Sequence, residues 1–79
     1  MPTTDATKRT RKRYHALSHD LRKIMCAGHG VTKDGYDVSP VATVDGIHWV
    51  VVFEGETEAW MPSPIEACEW VERDRRENA

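Results

Sequence analysis

His15, His19, Cys26 and His29 are the residues best suited to hold a metal ion. His15-x3-His19 is a ligand pair at helical spacing, and Cys26-x2-His29 is a second. Zinc sits about 2.0–2.3 Å from its nitrogen and sulfur ligands. The step from His19 to Cys26 covers about 10 Å along a helix, so one ion cannot gather all four side chains. Each half-site would need ligands from elsewhere, and neither a metal centre nor a cofactor is expected. Cys26 or Cys68 beside a histidine would make a nucleophile and base. However, G-x-S-x-G, P-loop and G-x-G-x-x-G patterns are missing from the sequence, and "GHG" lacks a third glycine and a preceding strand. A 79-residue chain also has little core from which to build a substrate pocket. The expectation is a non-enzymatic protein with no catalytic residue.

Charge is the more informative chemistry. Residues 1–33 carry eight Lys/Arg against Asp5 and Asp20, a balance of +6. Residues 34–79 carry eleven acids against Arg73, Arg75 and Arg76, a balance of −8. Either the halves neutralise each other within the fold or they meet charged partners. Lys8, Arg9, Arg11, Lys12 and Arg13 form the densest basic run, and a nucleic-acid backbone is the partner such a run fits. Glu54, Glu56, Glu58, Glu66 and Glu69 belong to an acidic run that could face a basic protein surface or occupy sites meant for phosphates.

The elements that must position these groups follow from periodicity and turn residues. Residues 1–9 hold no apolar period and read as a disordered basic arm. From residue 10 to 27, Tyr14, Leu17, Leu21, Ile24 and Met25 recur at helical spacing, with Thr7, Thr10 or Ser18 as the cap and Gly28 at the C-terminal end. Residues 31–37 read as a loop or a short leading strand. Strands are expected over 36–44, 47–53 and 57–61, and a last helix opens at Ser63 with Pro64 as its first residue and Glu66 as the capping partner. Residues 10–76 therefore form one α+β domain, with an N-terminal helix, a three-stranded antiparallel meander, and a C-terminal helix packed on one sheet face. Residues 77–79 form a tail. Cys26 and Cys68 are too few for a disulfide scaffold, although one bridge between the two helices is open.

"VATVDGIHWVVVFEG" (41–55) folds over Asp45-Gly46, a strong signal for a type I′ hairpin. That turn pairs Val44 with Ile47, Ala42 with Trp49, Pro40 with Val51 and Val38 with Phe53, an apolar face that should meet the helices. The opposite face places Val41, Val50 and Val52 in a small island beside His48. Trp60 joins the island if a three-residue loop precedes its strand and points inward if the loop has two residues. On this reading Val50→Asp spares the fold and removes partner binding.

Residues 33–73 resemble the sheet-plus-helix module of AP2-like DNA-binding domains at the N-termini of phage integrases. The likeness is carried by Asp45-Gly46, Phe53 closing the second strand, and "SPIEACEW". The family implies a sheet face that enters DNA. In this chain that face lacks Lys and Arg, and Asp37 and Glu54 flank it. In overall character the chain is similar to small phage accessory proteins, such as anti-CRISPR inhibitors. The function expected is that of a binding protein of phage or mobile-element type, acting on a host protein or nucleoprotein complex in the bacterial cytoplasm. Its contacts would be His48, Val50, Val52, Glu54, Glu56, Glu58, Trp60, Glu66 and Glu69, with the basic arm as a second site open to nucleic acid. The alternative is a DNA-binding or regulatory protein using the basic arm and first helix. A homodimer through the island is compatible with both. No apolar run or leader-like segment suggests a membrane or secreted setting.

Overall fold

The computed structural model describes residues 2–78. It contains helices α1 (Pro2–His15), α2 (His19–Ala27) and α3 (Pro64–Glu77). Four strands, β1 (Gly30–Val31), β2 (Tyr36–Thr43), β3 (Gly46–Phe53) and β4 (Glu56–Met61), form one antiparallel sheet in the order β1-β2-β3-β4. The α+β class is as expected, but the sheet has four strands rather than three. The added strand is β1, which pairs Gly30 with Val38 and Val31 with Asp37. Gly30 belongs at that edge because a Cβ there would stand 3.0 Å from Ile24 Cγ1 of α2. A larger residue would push strand and helix apart.

The first helix differs from its expected form in two ways. Helical backbone reaches back to Pro2, across residues expected to form an irregular arm. It then stops at His15, and a second helix begins after Ser18. The break follows from where Ser18 makes its bonds. Its N–H donates to Glu72 Oε1 of α3 at 2.6 Å, its hydroxyl donates to the same oxygen, and its φ/ψ of −61°/158° is extended. A backbone donor pulled sideways by a carboxylate cannot continue the helical ladder. Leu17, buried in the turn, fills the space between the two helices and α3. At the other end of α2, Gly28 adopts φ 86° and its N–H caps Ile24 O at 2.8 Å, as a left-handed C-terminal glycine does.

The core lies between one sheet face and the pair α2 and α3. Leu21, Val38, Val51, Val71 and Cys68 are fully buried at its centre, joined by Ile24, Tyr36, Ala59 and Ala67. Each large aliphatic side chain buried in this way stabilises the fold by about 1.5–3 kcal/mol. Tyr36 stacks on Phe53 with centroids 4.4 Å apart, and closes the lower end of the core. Cys26 is exposed and Cys68 is buried, both as free thiols, so no bridge joins the helices.

A polar seam locks the same end. Arg75 of α3 bridges Asp20 of α2 (3.1 Å) and Asp34 of the β1–β2 turn (2.7 Å), while Tyr36 donates to Asp74 at 2.6 Å. Burial pushes the Asp20 carboxyl up, but the Arg75 guanidinium and the Lys33 and Leu21 amides outweigh it and hold the group below its usual range. Tyr36 is pushed up to about 12, because its proton is engaged by Asp74.

Pairing in the first hairpin is displaced from the expected register. Thr43 pairs with Gly46, Val38 with Val51, and Tyr36 with Phe53. The loop residues are therefore Val44 and Asp45. The positive φ falls on Gly46 alone, at 121°, and not on Asp45 as a type I′ turn would require. Thr43 Oγ1 closes this loop by accepting from the Asp45 N–H (3.2 Å) and donating to Gly46 O (2.8 Å). The displacement is an even number of residues, so each side chain keeps its expected face.

Candidate interaction surface

The sheet face turned away from the helices is built around Trp60, and a β-bulge places it there. Beyond Phe53, Glu54 (φ 53°) and Gly55 (φ 80°) make a tight two-residue turn that pairs Phe53 with Glu56. Continued without interruption, that register would send Trp60 inward. Val52 pairs with Thr57 but Val51 pairs with Ala59, which leaves Glu58 as the extra residue. One extra residue reverses the alternation of the strand. Ala59 then enters the core and Trp60 stands opposite Val50 on the outer face, 54% exposed. Neither loop length considered from the sequence describes this combination of a two-residue turn and a bulge.

Around Trp60 the face is apolar and shallow. His48 meets the indole edge-on, with centroids 6.3 Å apart, and its Nδ1 lies 3.3 Å from Thr43 Oγ1. Val41, exposed, pairs with His48 across the hairpin. Val50 is a correction to the expected surface island. It is only 6% exposed, with Ser39 and Trp60 opposite it on the two neighbouring strands. Val52 is half-buried. Glu54, Glu56 and Glu58 stand exposed at the adjoining β3–β4 turn and bulge, so the face has an acidic margin.

The hairpin tip extends this surface beyond the reach of the helices. Pro40, Ala42, Val44 and Ile47 lie exposed, although the expected register assigned all four to the core. Ile47 is 56% exposed, and Val44 is entirely exposed in the loop. Pro40 sits where β1 has ended and β2 is itself an edge, a position that tolerates its missing donor.

The expected partner-contact set divides between two layers. His48, Val50, Val52, Glu54, Glu56, Glu58 and Trp60 belong to the sheet and its turn. Glu66 and Glu69 do not join them, because α3 packs on the opposite sheet face. Glu66 closes the helix cap, accepting from Ser63 Oγ at 2.9 Å, with its N–H donating to the same hydroxyl. Glu69 takes a two-pronged contact from Arg13, at 2.9 and 2.5 Å, which holds its carboxyl below the usual range. An open groove of about 490 Å³ between the end of α1 and α3 is lined in part by Arg13, Leu17, Met61 and Glu69.

Cys26 and the histidines do not converge. Among the described residues no group of three or more His, Cys, Asp or Glu side chains could hold a metal ion. The polar neighbour of Cys26 is the Tyr14 hydroxyl, 3.2 Å away, and that contact pushes the Tyr14 phenol up. No helix is long and apolar enough to cross a membrane among the described residues. No family model matches the chain, and neither the curated proteins nor the solved structures yield a match.

Proposed function

We propose that this protein is a non-enzymatic binding module that docks on a protein surface of a larger assembly through its outer sheet face. Trp60 is the anchor, with His48, Val41 and the hairpin tip forming its apolar surround. The observation that carries this reading is the bulge at Glu58, which turns the strand's aromatic residue out into solvent. A rigid aromatic presented on a sheet is the kind of group that dominates protein interfaces. Glu54, Glu56 and Glu58 at the margin favour a partner with basic groups around an apolar depression. In size and surface character this suits an accessory protein of phage or mobile-element type that blocks or modifies a host complex, in the manner of anti-CRISPR inhibitors.

The test is cross-linking and mass spectrometry of the tagged chain in host lysate, alongside a Trp60→Ala variant. A single stoichiometric protein assembly, recovered by the parent chain and reduced at least tenfold in the variant, supports the reading. Equal recovery by both chains overturns it. Sedimentation equilibrium of the purified chain separates a homodimer formed through the same face.

A further inference from the structure

We infer that α1 is a docking helix for the sugar-phosphate backbone of duplex nucleic acid, a second binding surface separate from the sheet. Three contacts fix which side of α1 faces the body of the protein. Arg13 reaches Glu69 on α3, Tyr14 reaches Cys26 on α2, and Leu17, just past the helix, is buried. With 3.6 residues per turn, the opposite side of the last two turns of α1 is made of positions 11, 12 and 15, with position 9 at its flank. The residues at those positions are Arg11, Lys12, His15 and Arg9, and none is acidic or apolar, while the Lys8 side chain lies outside the described residues.

Internal neutralisation does not account for this face. The ion pairs among the described residues employ Arg13 and Arg75 as their cations. Arg9, Arg11 and Lys12 are exposed and make none with the described residues. The α1–α2 junction adds cationic groups, in a crevice lined by Tyr14, His19, Arg22, Lys23 and Cys26. Lys23 is exposed there and Arg22 is half-buried.

Shape and composition favour nucleic acid over the other polyanions. An interfacial membrane helix needs an apolar face to bury, and "PTTDATKRTRKRYH" has no apolar stripe. A helix about 10–12 Å across fits a major groove about 12 Å wide. α1 contains no Asn or Gln to read adenine edges, and contacts from its Arg and Lys side chains to phosphates position a protein without reading sequence.

The experiment is fluorescence anisotropy of the full chain with a labelled mixed-sequence duplex of about 20 bp at 50 and 200 mM salt. Three phosphate contacts give a log–log salt slope of about −2.7, or about a 40-fold loss of affinity between those salts. Arg11→Gln with Lys12→Gln should flatten the slope by about 1.8 and weaken binding at least tenfold at 50 mM. Arg11→Lys should retain most of the affinity. Circular dichroism checks that the double variant keeps its helix content, and Trp60→Ala should bind duplex as the parent does. The inference is overturned by no binding at 50 mM, by a salt slope unchanged in a folded double variant, or by tighter binding to phosphatidylserine vesicles than to duplex.

Discussion

The two ends of the β2–β3 hairpin have nearly the same composition and opposite fates. At the lower end Tyr36, Val38 and Val51 are buried under α2 and α3. At the upper end Pro40, Ala42, Val44 and Ile47 occupy the same face or its loop and remain in water. Alternation decides which face a side chain takes, but the length and placement of the covering helices decide whether that face becomes core. Two helices of 9 and 14 residues cover only part of an eight-residue ribbon. The bare end is therefore a property of the tertiary arrangement and not of the strand.

The same substitution at three places on β3 should break or sharpen this contrast. Val51→Asp would bury a carboxylate among Val38, Ala67 and Val71, at a cost of about 4 kcal/mol or more. Little stability would remain for a chain of this size, and loss of the urea unfolding transition is the expected result. Val50→Asp, on the outer face but beneath Trp60, should cost about 2–3 kcal/mol. This reverses the expectation that the position is a harmless place for a charge, and a lowered urea midpoint with the native slope would confirm it. If Val50→Asp leaves the midpoint unchanged, Trp60 does not cover the site. Ile47→Asp, on the core-side face but beyond the helices, should change stability by no more than about 0.5 kcal/mol.

Between those extremes lies the polar seam that fastens the covered end. Arg75→Met should cost about 2 kcal/mol, reduced from the value for a fully buried pair because the Asp34 side chain is 41% exposed. Asp20 and Asp34 both titrate below their ordinary 3.8 in the folded protein. Their contribution is therefore complete above about pH 4 and disappears as the pH falls through the lowered folded values. The parent should lose stability steeply there, and Arg75→Met should show a shallower acid limb in pH-dependent urea melts.

Local chemistry carried much of this architecture. The α3 cap at Ser63, Pro64 and Glu66, the Gly28 end of α2 and the inward and outward sets of the hairpin all rest on neighbours a few residues apart. What the sequence did not disclose depends on distant partners. Ser18 interrupts the first helix because Glu72, 54 positions away, takes its amide. Trp60 faces outward because a bulge at Glu58 reverses a register that loop length alone would set. Glu66 and Glu69 looked like part of an acidic docking surface because spacing does not reveal which sheet face a helix covers. The exposed tip carried a weak signal in its own length, since the ribbon offers more apolar residues than α2 and α3 have side chains to meet.

Cys26 and Cys68 give the molecule a built-in clock for its own opening. Cys26 lies on the surface, whereas Cys68 is fully enclosed and burial pushes its thiol up to about 11. An alkylating reagent at neutral pH should tag the first thiol at once and reach the second only when α3 leaves the sheet. Where tagging outpaces reclosing the lag times the lifetime of the closed core, and where reclosing is faster it reports the opening equilibrium, without any engineered probe.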